Sequence, residues 1–248
     1  PAGAFDREIE ALGGSSNAAT GLDDVHFHVL IPSTVAIRAL ELLLELVLHP
    51  AIAAEEFDCE RDVVLEEIAQ CADQPDERVL QELLGRACPN DPYGRPILGL
   101  KDRLMGMTPE AMRDFHGRRY RGPDCCLAIA GPALPGLKEC LDGSVLAGLP
   151  SMAETAAAAT ALTVETGRHE IHVDRLESAR FLMLWPMAPA MDQSRVMGAD
   201  LATSLLGEGR RSRLVSRLRE ELQIAETVDM DLTILERGSL VTLEVCCR

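Results

Sequence analysis

Glu60 and Glu67 stand seven residues apart within Glu55–Cys71, EEFDCERDVVLEEIAQC. On a helix, at about 100° per residue, that spacing stacks both carboxylates on nearly one line. Phe57, Val64, Ile68 and Cys71 fall on one side and make a buried stripe. The two carboxylates border that stripe, whereas Glu66 points away from it as a solvated charge. A carboxylate at the border of a core needs a partner, because desolvating the ion alone is costly and raises its pKa instead. An arginine, the amides of a helix N-terminus or a metal ion would each serve. His26 and His28, two apart in DDVHFHVLI, share one strand face, a spacing compatible with metal binding. With no third ligand nearby they read as polar residues on the wetter face of a sheet. The loop Gly207-Glu208-Gly209 with Arg210, Arg211 and Arg213 has the charge for a phosphate but lacks a Lys-Ser/Thr ending and a preceding buried strand.

The elements that must position these residues are legible from periodicity and caps. Phe5–Leu12 has helical spacing and stops at Gly13–Gly14. SSNAAT follows, and its small side chains read as a tight turn. Val25, Phe27 and Val29 then alternate with His26, His28 and Leu30 as in a half-buried strand. Helices are predicted over Val35–Leu48, apolar on most of its surface and so expected to be sandwiched in the core, over Glu55–Cys71 and over Asp76–Ala87. Cys88-Pro89-Asn90-Asp91-Pro92 is a dense turn signal. Thr108, Pro109 and Glu110 supply an N-cap, a first-position proline and an acidic first turn for Ala111–Tyr120, in which His116 reads as structural or solvated. CCLAIAG, Cys125–Gly131, reads as a short apolar strand and Leu134–Leu146 as a helix. After residue 167 come strands HEIHVD and ARFLMLWPMA, helices over Met191–Leu206 and Arg213–Leu222, and strands near Thr227–Leu235 and Ser239–Cys246.

Composition narrows the function classes. A net charge of −16 repels phosphate backbones and anionic lipid, so neither nucleic acid nor membrane is the expected partner. The longest apolar run, Leu40–Leu48, is broken by Glu41 and Glu45 and cannot span a bilayer. With five Phe, two Tyr and one Trp, packing falls to Leu, Val, Ile and Ala. The eight cysteines lack C-x-x-C spacing and a secretory signal, so they read as small buried hydrophobes in a reducing compartment. The chain opens on Pro1 and closes on the apolar strand LVTLEVCC plus one Arg, the look of a cut chain.

Four segments, GGSSNAAT, ERDVVLEEI, PYGRPILG and LREE, resemble the pitrilysin/insulinase family of zinc peptidases, the inverted-motif H-x-x-E-H zincins. The resemblance implies an α+β fold of two related domains, each a mostly antiparallel sheet packed by helices, both incomplete here. Residues 1–148 would form the peptidase domain without its first strands and zinc-motif helix, 149–166 a linker, and 167–248 a truncated second domain. It places Glu67 as a zinc ligand and Glu60 as a second Glu supporting the metal, with two His ligands expected upstream of Pro1. It turns SSNAAT into an edge strand whose Asn17, Ala18 and Ala19 receive a peptide substrate as an added strand. Arg219 takes the position of an Arg that holds the substrate carbonyl, but the accompanying Tyr position holds Glu226, which cannot stabilise an oxyanion. The implied function is a zinc-dependent metalloendopeptidase, with the fragment inactive alone. The rival is a non-catalytic homologue serving as partner or scaffold subunit. The expected partners are the peptide and a second copy or paired homologous subunit, and the expected compartment is the bacterial cytoplasm, with the periplasm as alternative.

Overall fold

In the computed structural model, which describes residues 3–149, 160–173 and 178–247, the chain opens with helix α1 (Ala4–Ala11). Gly13 turns it at φ 82°, a left-handed value that suits glycine. Strand β1 (Ser15–Thr20) follows and pairs antiparallel with β2 (Val25–Leu30), Ser15 opposite Leu30 and Thr20 opposite Val25. The turn reading of SSNAAT is corrected by this ladder. Small side chains do not forbid a strand, and pairing with β2 satisfies backbone groups that a turn would leave to water.

Helices α2 (Ala36–Leu48), α3 (Ala54–Asp73) and α4 (Pro75–Ala87) come next. Leu40, Leu44 and Leu48 of α2 form a core with Tyr120, Leu127, Leu137 and Leu141. Leu46 remains 43% exposed, so α2 is covered along one stripe and not sandwiched all round. After α5 (Lys101–Met105), helix α6 (Pro109–Arg119) starts as its sequence dictates, the Thr108 hydroxyl accepting from Ala111 N–H at 3.2 Å. His116 is structural: its Nε2 meets the Val47 carbonyl at 2.8 Å and its ring stacks on Tyr120 at 4.2 Å. α7 (Leu137–Gly143) is shorter than the helix expected over 134–146.

Two expected strands, 125–131 and 169–174, form no ladder over their described residues. Cys125 has extended dihedrals, φ −111° and ψ 137°. A strand exists only against a partner, and the described strands pair in two other sheets, β1 with β2 and a three-stranded one. That sheet is built from β3 (Arg180–Pro186), β4 (Ala225–Thr233) and β5 (Leu240–Cys247) in the antiparallel order β3, β5, β4. Helix α8 (Gln193–Gly207) packs on β4 so closely that a Cβ at Gly207 would collide with that of Met230. Val215, Ala225 and Val228 centre this core, joined by Leu218, Leu243 and Val245. Along β3, Phe181, Met183 and Trp185 share one face and stay 57%, 48% and 40% exposed.

The chain divides into two compact units, Pro1–Leu65 with Lys101–Ala157, and Glu66–Leu100 with Ala158–Arg248. Residues 66–100 thus group with the second unit. The linker expected over 149–166 falls largely on 150–159, outside the described residues. In the second unit Arg237 joins Asp91 through Nη2 at 3.0 Å and Nη1 at 3.2 Å, and its guanidinium lies 5.9 Å from the centre of the Tyr93 ring. Asp91 and Tyr93 are buried, and Thr160 takes up Nε and the rest of Nη2. All eight cysteines are free. Only Cys88 and Cys246 are buried; Cys59 and Cys126 are exposed, so the expectation of mostly buried thiols is corrected. No helix among the described residues is long and apolar enough to cross a membrane.

Candidate functional site

Helix α3 carries both sequence-predicted carboxylates, Glu60 in its first-unit portion and Glu67 in its second-unit portion. Phe57 is its one fully buried side chain, while Val64, Ile68 and Cys71 are half-buried. Glu60 and Glu67 are both exposed, so water meets the need for a partner that a core-border position would impose. Arg61, one residue on, is committed to Asp58 at 2.9 Å and lies 5.8 Å from the centre of the Phe57 ring. Among the described residues no group of three His, Cys, Asp or Glu side chains can hold a metal ion. The chain's described residues therefore do not build a zinc site by themselves. His26 and His28 stack at 6.0 Å, with His26 Nδ1 3.7 Å from Asp24, an arrangement of two rings and not of a third ligand.

Strand β1 offers a different kind of site. Its pairing with β2 occupies one side, and among the described strands nothing pairs with the other. An open antiparallel edge presents alternating N–H and C=O groups to an incoming strand. Asn17, Ala18 and Ala19 lie in the middle of it. One donor is already engaged: the Asn17 side-chain oxygen accepts Ala18 N–H at 2.9 Å. Alongside, Ser16 donates its hydroxyl to Asp6 of α1 at 2.7 Å. Within this unit a groove of about 700 Å³ is lined by Phe5, Ser16, Ala18, Phe27, Leu42 and Leu46. Its charged lining is acidic, from Asp6, Glu8, Glu45 and Glu56. Ile52, also in the lining, is held at φ 45°, a strained value for a β-branched residue.

Arg219 sits in a π-helical segment, Val215–Glu221, where the sequence pattern predicts an ordinary helix. Leu222 N–H reaches the Arg217 carbonyl five residues back, the widened turn of such segments, which recur at functional sites. Gln223 then ends it in the left-handed region at φ 53°. Arg219 donates through Nε at 3.1 Å and Nη2 at 3.0 Å to one oxygen, Oε1, of Glu220. Arg210 donates to the same carboxylate through Nε at 3.2 Å and Nη2 at 3.4 Å. These hydrogen bonds hold the Glu220 carboxyl below its ordinary range, Arg210 contributing most and Arg219 next. Glu226 occupies the bulge between Ala225 and Thr227 in β4 and is exposed; bulges commonly re-aim a side chain. Sequence reasoning missed Glu220 and weighed Arg210 only as part of a phosphate loop, although the acid following the arginine in LREE was the available signal.

Residues 1–101 match the family model described as insulinase, peptidase family M16, and residues 106–248 match the one described as peptidase M16 inactive domain. The chain belongs to peptidase family M16. An uncharacterized zinc protease of Rickettsia felis is 27% identical over 225 residues, 89% of this chain and 53% of the relative. Another, of Mycobacterium leprae, is 32% identical over 123 residues, covering 50% of this chain and 28% of the relative. The fold superposes on a Helicobacter pylori protease with TM-score 0.87 at 22% identity, covering 100% of this chain and 60% of that one. Pitrilysin superposes at TM-score 0.68 and 16% identity, over 98% of this chain and 27% of pitrilysin. The chain thus spans about half the length of the Rickettsia relative, 53%, and the resemblance in the four sequence segments is matched by family and fold.

Proposed function

We propose that this chain is part of a zinc-dependent endopeptidase that takes its substrate peptide as an added strand along β1. The open edge of Ser15–Thr20 supports this reading most directly, since an extended peptide finds main-chain partners there without any rearrangement of β2. Asn17, Ala18 and Ala19 provide those groups, and Asn17 must release Ala18 N–H first. The family resemblance gives Arg219, in the second unit, the part of donating to a substrate carbonyl oxygen. Glu67 would contribute one carboxylate to the metal, and Glu60, two helical turns or about 10 Å along α3, would support it. In this reading the chain's own residues bind and orient substrate and supply one of the metal's carboxylates, Glu67.

The complete product of the reading frame provides the test. It should contain zinc and cleave a quenched fluorogenic peptide. Glu67→Gln should lower bound zinc and reduce cleavage by more than the roughly 10–100-fold that supporting residues such as Glu60 are worth. Full cleavage by the Glu67→Gln protein would sink the proposal. Glu226 supports a second reading, a non-catalytic subunit that binds peptide or a homologous partner, because a carboxylate opposes a developing oxyanion. The exposed Phe181, Met183 and Trp185 suit such a partner, whether a second copy or a paired subunit. A product that binds the peptide without zinc and without cleavage would select this reading.

A further inference from the structure

Arg219 and Glu220 are adjacent in sequence, and on an α-helix adjacent side chains diverge by about 100° and do not face each other. Here they bond twice, because the π-helical segment widens the turn and narrows that divergence. We infer that Glu220 is a positioning residue: it anchors Arg219 by its Nε edge so that the Nη1 end is the one presented to a substrate carbonyl. The inference rests on the reading of Arg219 as a substrate-binding residue and adds what aims it.

The geometry carries it in three parts. Both Arg219 bonds use the Nε side of the guanidinium and converge on one oxygen, which fixes the plane of the fork. Among the described residues nothing else engages Arg219, so the two Nη1 hydrogens have no protein acceptor and the side chain is 35% exposed. Arg210 braces the anchor from the other side, bonding both oxygens of Glu220 across ten residues of chain. An isolated surface pair would be too loose to aim anything, since each long side chain keeps its freedom. A carboxylate gripped by two arginines has lost that freedom already, and a rigidly held donor gives up less entropy when it meets its ligand.

The test uses this chain and an N-acetylated, C-amidated, fluorescein-labelled peptide of alternating Val and Lys, followed by fluorescence anisotropy. Nε–H signals of the arginines are read in parallel by NMR. Arg219→Ala should weaken binding about 10-fold, as loss of a charged hydrogen bond does. Glu220→Ala should weaken it several-fold and turn the Arg219 Nε–H signal from slowly to rapidly exchanging. Glu220→Asp should restore both in large part, and Arg219→Ala with Glu220→Ala should bind no worse than Arg219→Ala alone. If Arg219→Ala changes nothing while the unaltered chain binds, the substrate role of Arg219 fails. If Arg219→Ala weakens binding but Glu220→Ala leaves affinity and the Nε–H signal untouched, the positioning inference alone is overturned. No binding by the unaltered chain overturns both.

Discussion

The second unit contains two arginine clamps that share a chemistry and differ in what they leave over. Around Arg237, all three guanidinium nitrogens are engaged: two contacts to Asp91, two to Thr160, and a face near Tyr93. Asp91 is 7% exposed, Tyr93 1% and the Arg237 side chain 19%, so the carboxylate of this clamp is largely shielded from water. Around Glu220, the carboxylate is saturated by Arg210 and Arg219 while Arg219 keeps one end open toward solvent. The first clamp ties the turn after α4 to the turn between β4 and β5. The second has a hydrogen-bonding direction to spare. The same pair of residue types thus serves architecture when complete, and when half-exposed and incomplete leaves a donor for the recognition proposed for Arg219.

The largest effect separating them should come from Arg237→Met. Removing it strands the buried Asp91 carboxylate, and breaking a buried pair costs about 3–5 kcal/mol. Thermal or urea unfolding should show that loss, whereas Glu220→Ala should stay within about 0.5 kcal/mol of the unaltered chain, as surface changes do. Equal losses at the two sites would erase the distinction. Next in size, Gln223→Gly should stabilise the chain by roughly 0.5–1 kcal/mol, because glycine accepts the left-handed turn that ends the Arg219 segment. A destabilised Gln223→Gly protein would mean that the side chain compensates for its own strain.

A pH titration sharpens the comparison further. Glu220 has its folded carboxyl held below the ordinary range, so its contribution is fully present above the pKa of an unfolded glutamate. It is lost as pH falls through the lower folded value. The Arg219 Nε–H signal should therefore broaden only at pH below the ordinary glutamate range; broadening at or above that range would contradict the anchor. The smallest expected effect belongs to α3. Glu60→Gln and Glu67→Gln should each change unfolding stability by no more than about 0.5 kcal/mol, because both carboxylates are exposed and bond to nothing among the described residues. A larger loss would reveal a structural role and weaken the case that these carboxylates wait for something outside the chain.

How much of this was legible in the sequence depended on the range of the interaction. The helices α3, α4 and α6 appear within a few residues of their predicted bounds because caps and periodicity are local; Thr108 caps α6 as its sequence position requires. Strands were harder. CCLAIAG has the composition of a strand and forms no ladder, while SSNAAT has the composition of a turn and forms β1, because a strand is decided by its neighbour and not by its own residues. Of the site, the residues were readable but not their surroundings. Glu60 and Glu67 were placed on the right helix and at too buried a position, since periodicity gives direction without showing what covers it. The π-helical turn under Arg219 has no period of its own in seven residues, so Glu220 stayed hidden beside the arginine it holds.

The bond from the Asn17 side chain to Ala18 N–H also bears on solubility. An unpaired strand edge is a template for indiscriminate pairing with other chains, and proteins survive by making that edge unattractive. Asn17 does so with a single reversible hydrogen bond in place of a proline or a lysine. Any strand that docks must first exchange that bond for one of its own, so only a partner with enough further contacts along Ser15–Thr20 gains by docking. The edge is in this sense guarded against the weak and the accidental, and Asn17→Ala, by removing the guard, should make the chain aggregate sooner on concentration.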